Sequence, residues 1–184
     1  MDAFAELGLG RDLRVTEEEL RSVMDRLSGE RHPDAGGSAG EFAQLREAYA
    51  ILRSPGRRLR HWLELGGAGA AGGVGVVPGD LLGYFEEVGG LLQRVEGVGR
   101  RKAEARSALG RSVVEREQMV VVEELGGMMD GVAERVAGLE GRFAEFEERG
   151  VKDCAGEARE VAAGLAYLEK WRGQLREAWV GLAV

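Results

Sequence analysis

Residues 66 to 79 read GGAGAAGGVGVVPG, a stretch in which seven of fourteen residues are glycine and none is charged. Glycine loses the most backbone freedom on ordering and has no side chain to bury, so this stretch reads as a linker. It divides the chain into residues 1–65 and 80–184, each large enough to hold a core of its own. The 184 residues allow one domain or two small ones and exclude a large multidomain enzyme.

On both sides of the linker the apolar residues keep a helical period. Thr16 followed three residues later by Glu19 has the spacing of a capping box, and Leu20, Val23, Met24 and Leu27 then recur at helical intervals. Pro33, Gly36 and Gly37 stop that helix. A second is predicted from about residue 38 to 53, with Phe42, Leu45, Tyr49 and Leu52 on one face, which makes an antiparallel helical hairpin. Pro55 breaks it, and Leu59, Trp62, Leu63 and Leu65 predict a short further helix packing back.

Beyond the linker three amphipathic helices are predicted. The first carries Leu81, Phe85, Val88, Leu92 and Val95, and the second runs from Val113 through Val121, Leu125, Val132 and Val136 to Phe143 and Phe146. The third carries Val161, Leu165, Leu168, Leu175, Trp179 and Leu182. The β-branched run from Met119 to Val122 lies inside a helical period and reads as helix. The expected class is therefore all-α, a helical hairpin followed by a three-helix bundle.

Charge and composition exclude several functions. With 25 basic and 32 acidic residues the net charge is −7, so a broadly basic nucleic-acid face is not expected. No apolar run approaches the roughly 20 residues of a membrane span, and the opening MDAFAELGLG lacks the pattern of a signal peptide. The single cysteine, Cys154, rules out an internal disulfide framework, and a cytoplasmic location is expected. Two imidazoles, His32 and His61, give little support to metal binding or catalysis. The acidic run Glu145, Glu147 and Glu148 reads as a solvated face. There is no P-loop, so no enzyme activity, metal or cofactor is predicted.

One tripeptide stands out, His32-Pro33-Asp34 at the tip of the predicted hairpin. Proline fixes its own φ near −65° and restrains the residue before it, so His32 and Asp34 are expected outward on a stiff loop, which suits docking. The opening Asp2-Ala-Phe-Ala-Glu-Leu-Gly-Leu, the helix from Thr16 to Arg31, and Glu47-Ala48-Tyr49 with Leu52 and Pro55 complete a pattern that resembles a J domain over residues 2 to 67. The connection GLGRDLRVTEEEL and the segment Pro55-Gly-Arg-Arg-Leu-Arg-His-Trp-Leu-Glu-Leu-Gly-Gly are similar to those of HscB-type co-chaperones.

That resemblance implies a J domain over 1–65, the linker 66–79 and a client-binding three-helix bundle over 80–184. It implies binding to a DnaK- or HscA-type chaperone ATPase, triggered through His32, Pro33 and Asp34 and steered by Arg21, Arg26 and Arg31. It also implies an IscU-type iron-sulfur scaffold protein as client, met by Leu82, Phe85 and Glu86; the alternatives are a J-domain co-chaperone for a different client and a helical adaptor in which the tripeptide is inert. Arg31, Ala35 and Arg46 stand where the family usually has an aromatic, a lysine and an asparagine. Glycines at 83, 89 and 90 replace larger residues in the client-facing helix.

Overall fold

The structure is a computed structural model, and it describes residues 1–32, 34, 38–69 and 79–183. Its helices are α1 (Ala3–Glu6), α2 (Glu17–Arg31), α3 (Ala39–Arg53), α4 (Pro55–Leu65), α5 (Leu82–Glu104), α6 (Ala108–Glu140), α7 (Phe143–Arg149) and α8 (Val151–Ala183). A 3-10 turn at Gly79–Leu81 precedes α5, and no strand occurs among the described residues. The protein is all-α. Most of the expected linker, residues 70–78, lies outside the described residues, as does Pro33.

Local signals set the hairpin. Thr16 closes the predicted capping box, its hydroxyl accepting from the Glu19 N–H while the Glu19 carboxylate accepts from the Thr16 N–H. Ser38 and Glu41 repeat that arrangement at the start of α3. Ser54 ends α3 and caps α4, and Pro55 occupies the first turn of α4, where its missing N–H costs nothing. Leu20, Leu27, Leu45 and Leu52 are buried between these helices, while Val23, Met24, Phe42 and Tyr49 are only partly covered.

The chain packs as two compact units, one of residues 1–76 with 138–166 and the other of 77–137 with 167–184. This differs from the division expected at the linker, because residues 138–166 join the N-terminal part. Polar groups show why. The buried Arg58 guanidinium donates to the Val15 carbonyl at 3.0 Å, to the Leu52 carbonyl at 3.2 Å and to Glu140 at 2.9 Å. Glu147 accepts the Leu13 N–H at 2.6 Å, and Arg159 donates to the Ala68 carbonyl at 3.0 Å. Gly56 completes the fit, since a Cβ there would stand 3.2 Å from the Ala166 nitrogen and the Leu165 Cβ.

Two expectations from the sequence are corrected. The acidic run is not uniformly solvated: Glu147 is turned inward, and burial pushes its carboxyl above the usual range even though the Leu13 N–H favours the charge. The helix expected to continue through Phe146 ends at Glu140, and α7 follows after Gly141 and Arg142. Gly150, at φ 76°, adopts the left-handed conformation that ends α7 and lets α8 begin.

The register of the second unit also differs. Leu81 in the 3-10 turn and Val88, Leu91 and Val98 along α5 are buried, whereas Phe85 is exposed and Leu92 and Val95 are only partly covered. On α6 Val114 is buried and Val113 exposed, and on α8 Trp179 faces solvent. Adjacent apolar pairs such as Leu91-Leu92 and Val113-Val114 satisfy two helical stripes equally, and only packing chooses between them.

Leu52 is fully buried at the foot of the hairpin, and Leu52→Ala is expected to cost about 2–5 kcal/mol. Urea unfolding followed by helical circular dichroism measures this, and a loss below about 0.5 kcal/mol would contradict the packing described.

Candidate functional site

The corner between α2 and α3 is held from both sides. Arg31, in the last turn of α2, pairs with Glu6 of α1, and α3 begins in the Ser38–Glu41 box. Between them His32 leaves the helix with φ −65° and ψ 139°. Its Nδ1 accepts the Asp34 N–H at 3.2 Å, which puts the imidazole proton of the neutral ring on Nε2. The ring meets Phe42 of α3 edge-on, with centroids 5.2 Å apart and planes at 74°. The Asp34 side chain is 91% exposed and its carboxylate lies 3.5 Å from His32 Nδ1. A positioned imidazole and an open carboxylate thus stand side by side, able to meet donors and acceptors on another surface.

The three arginines expected to steer docking divide into two kinds. Arg21 and Arg26 are exposed, each paired along the helix, with Glu17 at 3.4 Å and Glu30 at 3.5 Å. Such exposed pairs hold little energy and exchange readily. Arg31 is partly covered and engaged with Glu6, so it braces the corner. Phe42, read from sequence only as part of a packing face, is the platform on which His32 rests. The Ser38-x-x-Glu41 signal was available in the sequence and marks where the corner ends.

In the second unit Leu82, Phe85 and Glu86 are all exposed on α5, the first two at 54% and 52%. Phe85 leans on Trp171 of α8, with ring centroids 6.3 Å apart, and Tyr84 and Tyr167 flank the same indole. Arg135 lies over the Tyr84 ring at 4.4 Å. The aromatic support from α8 had no signal in local sequence, because nothing in the spacing ties residue 85 to residue 171.

His61 is built into the fold. Its Nε2 accepts the Ala3 N–H at 3.0 Å, its ring stacks on Phe4, and Glu64, three residues on, lies 3.7 Å from Nδ1. Among the described residues no group of three or more His, Cys, Asp or Glu side chains could hold a metal ion. No helix among them is long and apolar enough to cross a membrane.

The arrangement, a capped two-helix hairpin with His32 and Asp34 at its turn followed by a helical second unit, is similar in fold to a known chaperone protein. The particular likeness is to HscB: the fold matches chaperone HscB from Vibrio cholerae with a TM-score of 0.58, over 99% of both chains at 20% identity. In sequence the chain is similar to the chaperone protein DnaJ of Gloeobacter violaceus, 34% identical over 85 residues, and to that of Carboxydothermus hydrogenoformans, 30% identical over 114. These matches take in 45% and 54% of this chain but only 21% and 29% of the two relatives. No family model matches.

The two capping boxes make the hairpin acid-sensitive. A hydrogen bond from the Thr16 N–H holds the Glu19 carboxyl below its usual range, and the Ser38 hydroxyl does the same for Glu41. A depressed carboxyl contributes stability that is complete above the unfolded value, about 4.3, and lost as pH falls through the lower folded value. Glu19→Gln with Glu41→Gln keeps box geometry without the titration. An acid titration of helical circular dichroism is expected to show a shallower loss below that value in the double variant than in the parent, and identical curves would refute it.

Proposed function

We propose that this chain is a J-domain co-chaperone. Its N-terminal unit engages a DnaK- or HscA-type chaperone ATPase and stimulates ATP hydrolysis by that partner, and its α5 face presents an IscU-type iron-sulfur scaffold protein as client. The observation that carries this reading is the His32–Asp34 corner, exposed and yet held in place by groups on α1, α2 and α3. A ring held against Phe42 beside a carboxylate left to solvent is the kind of preorganised surface that docking uses.

In this reading His32 and Asp34 act by contact and perform no chemistry of their own. The ring offers Nε2–H, and the carboxylate accepts from cationic or amide donors. Arg21 and Arg26 add a long-range pull toward an acidic chaperone surface, diluted by Glu17 and Glu30, so binding weakens only gently as salt rises. His32→Gln is expected to abolish stimulation of a DnaK-type ATPase while the melting curve stays close to that of the parent. Stimulation at the parent level would remove His32 as the trigger.

The client reading is supported by Leu82 and Phe85, large apolar side chains in solvent beside Glu86. Exposed apolar groups, with Phe85 resting on Trp171, are the kind of surface on which a few residues dominate binding. Replacing both with Ala is expected to lower affinity for an iron-sulfur scaffold protein at least tenfold, at a stability cost below about 1 kcal/mol for each. Isothermal titration together with thermal melts reads both. Unchanged scaffold affinity with chaperone stimulation intact would move the protein to a different client.

A further inference from the structure

The arginines of α2 differ in what holds them. Arg21 and Arg26 pair with carboxylates four residues away on their own helix, and every partner in those pairs is more than half exposed. Arg31 pairs instead with Glu6 of α1, 25 residues earlier, and the two side chains are only 36% and 24% exposed. Partial cover limits screening by water and salt, so this pair keeps its geometry where an open one exchanges.

Both ends of the link are anchored. Phe4 and Leu7, on either side of Glu6, are fully buried, and His61 accepts the Ala3 N–H at 3.0 Å, so α1 is fixed to the core. Arg31 is the last residue of α2, where a helix runs out of intrahelical partners for its carbonyls and frays. A tie from its guanidinium to α1 opposes that fraying. The same charge reaches Glu41, whose carboxyl is held below its usual range first by the Ser38 hydroxyl and to a lesser extent by Arg31. Arg31 thus stands between carboxylates of α1 and α3, at the point where the chain leaves α2. The next residue feels the effect. His32 takes the Asp34 N–H on Nδ1 and rests edge-on against Phe42, and both contacts depend on the direction in which the backbone enters it.

We propose that Glu6 and Arg31 are positioning residues: their ion pair sets the direction in which His32 and Asp34 meet the chaperone. This role rests on the co-chaperone reading above and adds a residue of another helix, Glu6, to those that decide stimulation. A direct contact between Arg31 and the chaperone makes the opposite demand. Removing the Glu6 carboxylate would then release the guanidinium and leave docking intact or stronger.

The test compares the full-length parent with Glu6→Gln, Arg31→Gln, the two together and Arg31→Lys, with melts run on each. NMR of the His32 ring without chaperone reads the corner directly, because the ring-proton shifts respond to Phe42 and the Nδ1 shift to its acceptor bond. Both Gln variants are expected to move these signals toward those of an unrestrained histidine, whereas Arg31→Lys keeps the charge and stays near the parent. Maximal stimulation of a DnaK-type ATPase is expected to fall at least about fivefold in either Gln variant, with the half-saturating concentration changed less than about twofold. The double variant is expected to lose no more than either single, since both changes remove one interaction. Arg31→Lys is expected to keep at least about half of the parent's stimulation. Unmoved His32 signals in a stimulating chain overturn this proposal alone. Stimulation lost in Arg31→Gln but kept in Glu6→Gln overturns it by making Arg31 a contact, and a double variant far worse than either single overturns it as well. A Gln variant melting far below the parent assigns the pair to stability and overturns it equally. A parent that stimulates no DnaK-type ATPase, with His32 signals that do respond to the variants, overturns the co-chaperone reading and the role with it.

Discussion

Arg58 is the group on which the first unit depends. A guanidinium taken out of water is costly unless each side of it finds a partner, and here the partners come from separate parts of the chain. Val15 precedes α2, Leu52 lies near the end of α3 and Glu140 ends α6, and all three accept from this one side chain. Its planar head also lies 5.6 Å from the centre of the Phe143 ring. On the same helix His61 accepts the Ala3 N–H, so α4 fixes α1 as well. Through two polar side chains that short helix ties together segments more than a hundred residues apart in sequence.

This arrangement reaches the end of α2 through a chain of contacts. Helix α1, held by His61, positions Glu6, and Glu6 holds Arg31 one residue before His32. On the far side Phe42 projects from the first turns of α3 and meets the imidazole. The backbone is thus directed into the corner and the ring has a surface to rest on, while Asp34 is left to solvent. Docking onto another protein benefits from such preorganisation, since less side-chain freedom remains to be lost on binding.

The second unit solves a different problem, with glycines inside its helices and few aromatic residues to fill its core. Trp171 gathers Tyr84, Phe85 and Tyr167 into one cluster, and Gly131 of α6 makes room for the Tyr84 hydroxyl, which a Cβ there would strike. One consequence is that Phe85 is supported from beneath and open above. Leu82 and Phe85 on α5 and Leu109, Val113, Met119 and Val120 on α6 remain exposed.

Sequence by itself determined the local events: the capping box at Thr16, the stop before His32, the entry of α4 at Pro55 and the all-α class. Each of these rests on residues within a few positions of one another, where backbone chemistry acts alone. The Ser38 box was equally legible by the same rule. Tertiary structure decided what depends on distant partners. Arg31 braces Glu6, Glu147 turns inward to Leu13, and residues 138–166 join the first unit because polar groups far away in sequence needed them. It also decided register at Leu91-Leu92 and Val113-Val114, where a helical period admits two answers and only the shape of the neighbouring helices selects one. The exposure of His32 and Asp34 could be read in advance because it follows from adjacent residues, whereas the support under His32 and Phe85 could not, because it comes from other helices.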